Sequence, residues 1–526
     1  MLARISSGAV LGIEAYEVQV EVDINLGMQV FHIVGLPKGA VREARLRIPS
    51  AMENAGFDFP THKITLNLAP ADVRKDGTAF DLPMTVGIMA AQRKLPAQRD
   101  GMALEDWMIV GELGLDGEVR PVDGVLPLAV MARDTGRRGM IVPKANAREA
   151  AVVSELQVVP VGHLTEVIEL LRGQRDIEPE VLECEPGDGF PMQYPIDFNE
   201  VAGQEAAKRA LEVAAAGGHN VALVGPPGSG KSMLAKRLPT ILPEMTFDEA
   251  LETTKLYSIT GQVPQDRGLV TRRPFRSPHH TISNVGIIGG GRGIPRPGEV
   301  SLAHHGVLFL DELPEFPRGV LEVLRQPLED NEVTISRSMS TVTYPANVML
   351  VAAMNPCPCG YFGADPDKCD CPEHVVRRYR NKLSGPLMDR IDLHVEVPAV
   401  PYDRLKDHDR GELSDQIRGR VDAARVRQHR RFRGTDVHSN AQMRPADLRQ
   451  HCELDDSGHQ LLQKVVDTLG MSARGYDRIL KVARTIADLA GADEITPAYL
   501  SEAIQYRTLD RDLDGGHGRR SFHPTG

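Results

Sequence analysis

A chain of 526 residues exceeds what one hydrophobic core sustains, and its length predicts roughly three domains. Hydrophobic residues at 41% and charged residues at 25% are the proportions of folded globular proteins and exclude wholesale disorder. The 72 acidic residues against 61 basic ones give a formal charge of −11, which excludes a globally basic coat for nucleic acid and leaves local patches as the means of any such contact. Met1 to Glu14 lacks the apolar run and cleavage signature of a leader, and no stretch reaches the ~18 apolar residues of a membrane span, so the chain reads as cytoplasmic without membrane contact. Glu17 to Asn25 alternates like a strand, Gln29 to Val34 is a second apolar run, and Lys38 to Ala55 has helical spacing. The strand Lys63 to Leu68, the turn Asp72 to Gly77 and the helix Ala79 to Gln92 follow, then further strands and helices from Ile109 to Leu171. Residues 1–175 are therefore expected to form an α+β domain, and the Pro-, Gly- and acid-rich residues 176–197 a linker.

Gly225, Pro226, Pro227, Gly228, Ser229, Gly230, Lys231 and Ser232 match the P-loop pattern in full, between the strand Val221–Val224 and the helical run Met233 to Leu238. The glycines let backbone N–H groups turn toward phosphates at a helix start. Lys231 is expected on the β- and γ-phosphates and the Ser232 hydroxyl on Mg²⁺. A second apolar strand, Val307 to Leu310, ends in Asp311 and Glu312, a Walker B pattern. Asp311 is expected to hold the metal and Glu312 to polarise the attacking water. ATP and Mg²⁺ are the cofactors these motifs call for. Residues 198–400 form an α/β core.

Between the two motifs, Arg272 to His280 and Gly289 to Arg296, including Arg292, are rich in glycine and cations. Glu332 to Tyr344 alternates around Arg337, Ser338 and Met339 as a hairpin with a basic tip. Both are candidates for contact with a phosphate backbone or, on the plainer reading, loops that complete the ATP site or subunit contacts. Cys357, Cys359, Cys369 and Cys371 form two C-x-C pairs nine residues apart, a spacing that suits a closed tetrahedral zinc. An iron–sulfur cluster or free thiols remain the alternatives, and His374 is a reserve ligand. From residue 401 to 509 helical patterns dominate. Leu413 to Arg433 carries Arg418, Arg420, Arg425, Arg427, Arg430, Arg431 and Arg433, read either as a DNA contact or as an exposed cationic helix face. Ala446 to Leu469, Ser472 to Ala490 and Thr496 to Gln505 are three further helices, and residues 510–526 read as a polar tail.

Several stretches resemble known families. Lys75 to Ala79, and Gly111 through Gly117, Val119, Pro121, Val122 and Gly124 to Leu126, resemble the S5-like protease domain of Lon peptidases. Ala79 stands where that family carries its nucleophilic serine and Leu126 where it carries its lysine, so nucleophile and base are both missing and proteolysis is not expected. The P-loop core, preceded by Val201, Gly203 and Gln204, resembles AAA+ ATPases, in which Asn355, after the strand Asn347 to Met354, would be sensor 1. Ser384 to Asp392 resembles the arginine-finger segment of minichromosome maintenance helicases and magnesium chelatase, which makes Arg390 the candidate finger unless it merely pairs with Asp389 or Asp392. Arg474 sits where the sensor 2 arginine of a chelatase-type helical lid is expected, with a solvated first-turn arginine as the alternative.

As a combination these features resemble the ComM/YifB family of magnesium-chelatase-like AAA+ ATPases along nearly the whole chain. The resemblance implies a homo-oligomeric ring, a hexamer, that hydrolyses ATP to drive branch migration or helicase unwinding of branched or single-stranded DNA in recombination and natural transformation. A chelatase motor subunit and an ATP-gated assembly switch without DNA translocation are the competing readings.

Overall fold

A computed structural model describes residues 2–507 apart from 72, 74, 97, 100–101, 183–193, 292–293, 338–339, 366, 402–410, 436 and 470–471. The centre of the expected linker, Arg292, the hairpin tip at Ser338 and Met339, and the expected tail lie outside the described residues.

The N-terminal part is built on a seven-stranded sheet. Its strands run in the order Gln157–Val161, Gly139–Pro143, Trp107–Ile109, Leu2–Leu11, Glu14–Asn25, Lys63–Ala69 and Val30–Val34. Leu2–Leu11 and Glu14–Asn25 pair antiparallel through a two-residue turn in which Gly12 takes φ 69°. Alternation puts Val18, Val20 and Val22 on the buried face, against the apolar helix Asp81–Ala91. That helix starts two residues later than its pattern suggested, because Ala79 and Phe80 form the turn that enters it.

The second sheet is wholly parallel, ordered Phe275–Arg276, Val307–Leu310, Met349–Met354, Val221–Val224 and Leu393–Glu396. Its three central strands, Val307–Leu310, Met349–Met354 and Val221–Val224, are continuous apolar runs, as parallel strands covered on both faces are. The hairpin appears as Glu332–Arg337 paired with Ser340–Pro345. The expected helix from Ala446 to Leu469 is broken into Pro445–His451 and Asp456–Leu469. With Ser414–Arg431, Ala473–Leu489 and Pro497–Gln505 these helices share one apolar cluster with the P-loop sheet, Ile479 and Ile486 meeting Leu211 and Val221.

Two buried polar networks lock the molecule. Asp488, with no exposed side-chain surface, takes Arg431 and Arg484, and accepts from Asn440 Nδ2 at 2.8 Å. At the other junction Glu149 accepts from the Leu126 N–H at 3.0 Å and from Asn146 Nδ2 at 3.2 Å, while Ser258 at the end of helix Phe247–Ser258 also faces the Leu126 N–H. Burial raises the Glu149 carboxyl above its ordinary value. Leu126 and Ala79 thus pack in an apolar cluster shared with Met245, Ala250 and Leu269 of the P-loop part. Leu126 is therefore a contact between the N-terminal part and the P-loop part. Among the described residues no helix is long and apolar enough to cross a membrane.

Candidate functional site

Parallel pairing brings the chemistry to one sheet edge, since all five strands point their C-terminal ends the same way. Val224 pairs with Met354, so Gly225 and Asn355 leave the sheet level with one another, and Asp311 follows from the next strand over. The loop needs its glycines. A Cβ on Gly225 would lie 2.0 Å from the Val397 carbonyl oxygen, and Gly228 and Gly230 take φ 76° and 93°. The helix begins at Lys231, two residues ahead of the pattern, and so places Lys231 and Ser232 in its first turn.

Lys231 Nζ donates to the carbonyls of Gly225 and Pro226, both at 2.8 Å, and to Asn355 Oδ1 at 3.2 Å. Burial pushes its ammonium below the ordinary lysine value, with Asp311 pulling the other way. Ser232 Oγ donates to Asp311 Oδ2 at 2.6 Å. A hydroxyl and a carboxylate, both hard oxygen ligands, converge as Mg²⁺ binding requires. Glu312 occupies the left-handed region at φ 52°, donates its N–H to Asp311 Oδ1 at 2.9 Å and leaves its carboxylate largely exposed. His280 Nδ1 stands 3.4 Å from Glu312 Oε2, with the His279 ring beside it, tilted by 35° at a centroid distance of 4.1 Å. Sequence reasoning placed His280 only in a basic segment; nothing local links residues 32 positions apart.

Arg390 and Arg474 lie elsewhere. Both face Glu329 in a cavity of about 1100 Å³ whose walls include none of residues 225–232, Asp311, Glu312 or Asn355. Arg390 pairs with Glu329 rather than with its neighbours Asp389 or Asp392, because Asp392 is taken by Arg478 and His219. The structure therefore gathers Lys231, Ser232, Asp311, Glu312 and Asn355 at one surface and the two arginines at another.

The four cysteines converge after Asn355. Sγ separations are 3.3 Å for Cys357–Cys359, 3.6 Å for Cys359–Cys369 and 3.9 Å for Cys357–Cys369, and Cys371 completes the group. Zn–S bonds of ~2.3 Å in a tetrahedron put sulfurs about 3.8 Å apart, whereas a disulfide needs ~2.0 Å. The donor set fits zinc. The N–H groups of Gly360 and Phe362 donate to Cys357 Sγ at 3.2 and 3.3 Å, and the Tyr361 backbone N–H draws the Cys359 thiol down to about 7. His374 is not in the group. The loop presses on the P-loop: a Cβ on Gly360 would meet Pro227 Cδ at 2.4 Å.

A second cluster joins Glu252, His304 and His305, with both Nε2 atoms 3.0 Å from Glu252 Oε2. His304 Nδ1 accepts the Asn347 N–H at 3.0 Å, so the neutral ring carries its proton on Nε2, which lies beside the carboxylate without a hydrogen bond, whereas His305 Nε2 makes one. Burial pushes His304 down to about 4, which keeps it neutral. The triad offers a carboxylate oxygen and two ring nitrogens within 4.8 Å of one another just ahead of the Walker B strand, with His305 hydrogen-bonded to Glu252.

The cationic segments divide sharply. Arg273 is spent on the carbonyls of Pro243 and His305 and on Glu249, and Arg276 forms a bidentate pair with Glu299. In helix Ser414–Arg431, Arg418 pairs with Asp415, Arg420 with Glu212 and Glu412, Arg427 with Asp493 and Arg431 with Asp488. Arg425 is pushed down to about 10 by burial. That helix therefore spends most of its arginines on packing, while Arg430 and, just past its end, Arg433 stay exposed. The strands Gly289–Gly290 and Arg296–Pro297, by contrast, pack on the hairpin, with Tyr344 Oη bonded to the Pro295 carbonyl and Ile335 against Gly289, so exposed Arg296 and Arg337 belong to one projection.

The chain is similar to known proteins along nearly its whole length. Family models described as "Magnesium chelatase, subunit ChlI", "Subunit ChlI of Mg-chelatase" and "Magnesium chelatase, subunit ChlI C-terminal" match residues 197–405, 20–146 and 411–507. The chain is 44% identical over 517 residues to the competence protein ComM of Haemophilus influenzae, covering 97% of this chain and 98% of that protein. It is 43% identical over 514 residues to the uncharacterized protein YifB of Salmonella typhimurium, with the same coverage. Lon protease 2 of Bacillus subtilis matches 149 residues at 32% identity, 26% of either chain. With identity of this order along almost its full length, the chain belongs to the ComM/YifB family of magnesium-chelatase-like AAA+ ATPases.

Proposed function

We propose that the protein is an ATP-hydrolysing ring motor that moves DNA, with each ATP site completed by a neighbouring copy. The observation that carries this is the division of the site: Lys231, Ser232, Asp311, Glu312 and Asn355 share one surface, while Arg390 and Arg474 face a separate cavity. Arginines that cannot attend their own P-loop suit the γ-phosphate of another subunit. Ser232 and Asp311 would hold Mg²⁺, which would supply neutralising charge at the phosphates. Lys231 then exchanges its carbonyl partners for phosphate oxygens, Glu312 takes the proton of the attacking water, and Asn355 orients that water. Six copies in a ring is the arrangement the family resemblance favours.

The projection bearing Arg296 and Arg337 is the part that touches DNA, because both arginines are exposed, Arg296 with only a loose 3.7 Å contact to Asp123, whereas those of Ser414–Arg431 are largely spent on carboxylates. ATPase rates with and without a panel of branched and single-stranded DNAs test this. Stimulation in the native chain and its loss in Arg337→Glu are expected; a rate indifferent to every DNA form overturns the DNA assignment. The chelatase family models favour a second reading, a motor for metal insertion into a porphyrin. Co-purification free of chelatase-type partners counts against it.

Zinc at the four cysteines would brace the P-loop through Gly360 and Pro227. Cys369→Ser is expected to abolish bound zinc, read by elemental mass spectrometry, and to weaken ATP binding about tenfold, ~1.4 kcal/mol. Unchanged nucleotide affinity in the zinc-free variant would separate the metal from the P-loop.

A further inference from the structure

Arg390 follows the short helix Gly385–Met388, and Arg474 lies in the first turn of Ala473–Leu489, yet both turn to one carboxylate. Arg390 Nη2 donates to Glu329 Oε2, and Arg474 Nη2 stands 4.0 Å from Glu329 Oε1. The Arg390 side chain is only 10% exposed; its Nη1 donates to the Pro386 carbonyl at 2.7 Å and its Nε is buried without a hydrogen-bond partner. Glu329 is 54% exposed and Arg474 60%, so the contact opens on the cavity rather than lying sealed in the core. Two guanidiniums converging on two oxygens of a half-exposed anion is the geometry by which arginine also grips a phosphate.

We propose that Glu329 is the resident anion of a phosphate site, and that the γ-phosphate of ATP held by a neighbouring copy displaces it from Arg390 and Arg474. This rests on the reading of the two arginines given above and adds their control. In the separate chain the carboxylate occupies both cations, so ATP-dependent association must first break its contacts. Glu329 therefore restrains ATP turnover at low protein concentration and ceases to matter once neighbours are in place. No covalent step is required of it.

The test is steady-state ATPase against protein concentration for the native chain, Glu329→Gln, Glu329→Ala and Arg390→Ala. It is paired with sedimentation velocity in ADP–beryllium fluoride, a γ-phosphate mimic. Both Glu329 variants are expected to reach half-maximal rate and to assemble at about fivefold lower protein concentration, the worth of one partly exposed ion pair. Their saturating rate should stay within about twofold of native. An unchanged midpoint overturns the proposal, as does a saturating rate that falls toward that of Arg390→Ala, because the carboxylate would then be orienting the arginine. In both cases an inactive Arg390→Ala leaves the neighbour-arginine reading standing. A fully active Arg390→Ala removes that reading and the role of Glu329 with it.

Discussion

Glu312→Gln is expected to slow ATP turnover by about 10²–10⁴-fold while ATP stays bound, the range for removing a positioned general base. The residue is exposed and its backbone sits at φ 52° independently of the carboxylate charge, so an isosteric amide leaves the loop in place. Asp311, which accepts both the Ser232 hydroxyl and the Glu312 N–H, keeps its partners. Lys231→Ala behaves differently. Removing the ammonium deletes the donor to the phosphates and leaves the Asn355 amide and two loop carbonyls without their cation, so binding is lost along with turnover. Nucleotide-binding fluorescence together with single-turnover hydrolysis separates the two. Equal loss of binding in both variants would mean that Glu312 supports the loop rather than the water.

The P-loop, the Walker B strand and the cysteine group were legible in the sequence because each is contiguous, with spacing and apolar context in one short window. The unbroken apolar runs Val221–Val224 and Val307–Leu310 were legible as strands of an α/β core, and the structure buries both in a parallel sheet. What stayed hidden depends on pairing across long separations. Glu329 meets Arg390 and Arg474 only because the sheet order and the C-terminal helices fold them onto one cavity. The arginines of Ser414–Arg431 read as solvent-facing because their partners Glu212, Asp488 and Asp493 lie elsewhere in the chain. The same limit kept the glycine-rich ribbon and the hairpin apart as two features, when Tyr344 and Ile335 make them one. Nor did the sequence show that Ser258, 132 residues further on, would meet the Leu126 N–H.

Arg390→Ala is expected to retain ATP binding and to lose about 10³–10⁵ in rate, the span for a guanidinium that stabilises charge on a transferring phosphate. Binding survives because Arg390 touches none of the P-loop residues; its partners are Glu329 and the Pro386 carbonyl. The informative experiment is a mixture. A chain carrying Arg390→Ala has an intact Lys231 and Glu312, and one carrying Glu312→Gln has an intact Arg390, so each lacks what the other supplies. If the site is shared, mixing the two inactive chains restores hydrolysis at those junctions where Glu312 of one copy meets Arg390 of the next. Random assembly places that pairing at about one junction in four, which sets the expected recovery near a quarter of the native rate at saturating protein where junctions act independently. A site complete within one chain recovers nothing on mixing, since every Arg390→Ala chain would keep its own defect. Recovery therefore discriminates between neighbour-supplied and self-supplied charge in a way that neither single variant can, because both are inactive under either arrangement.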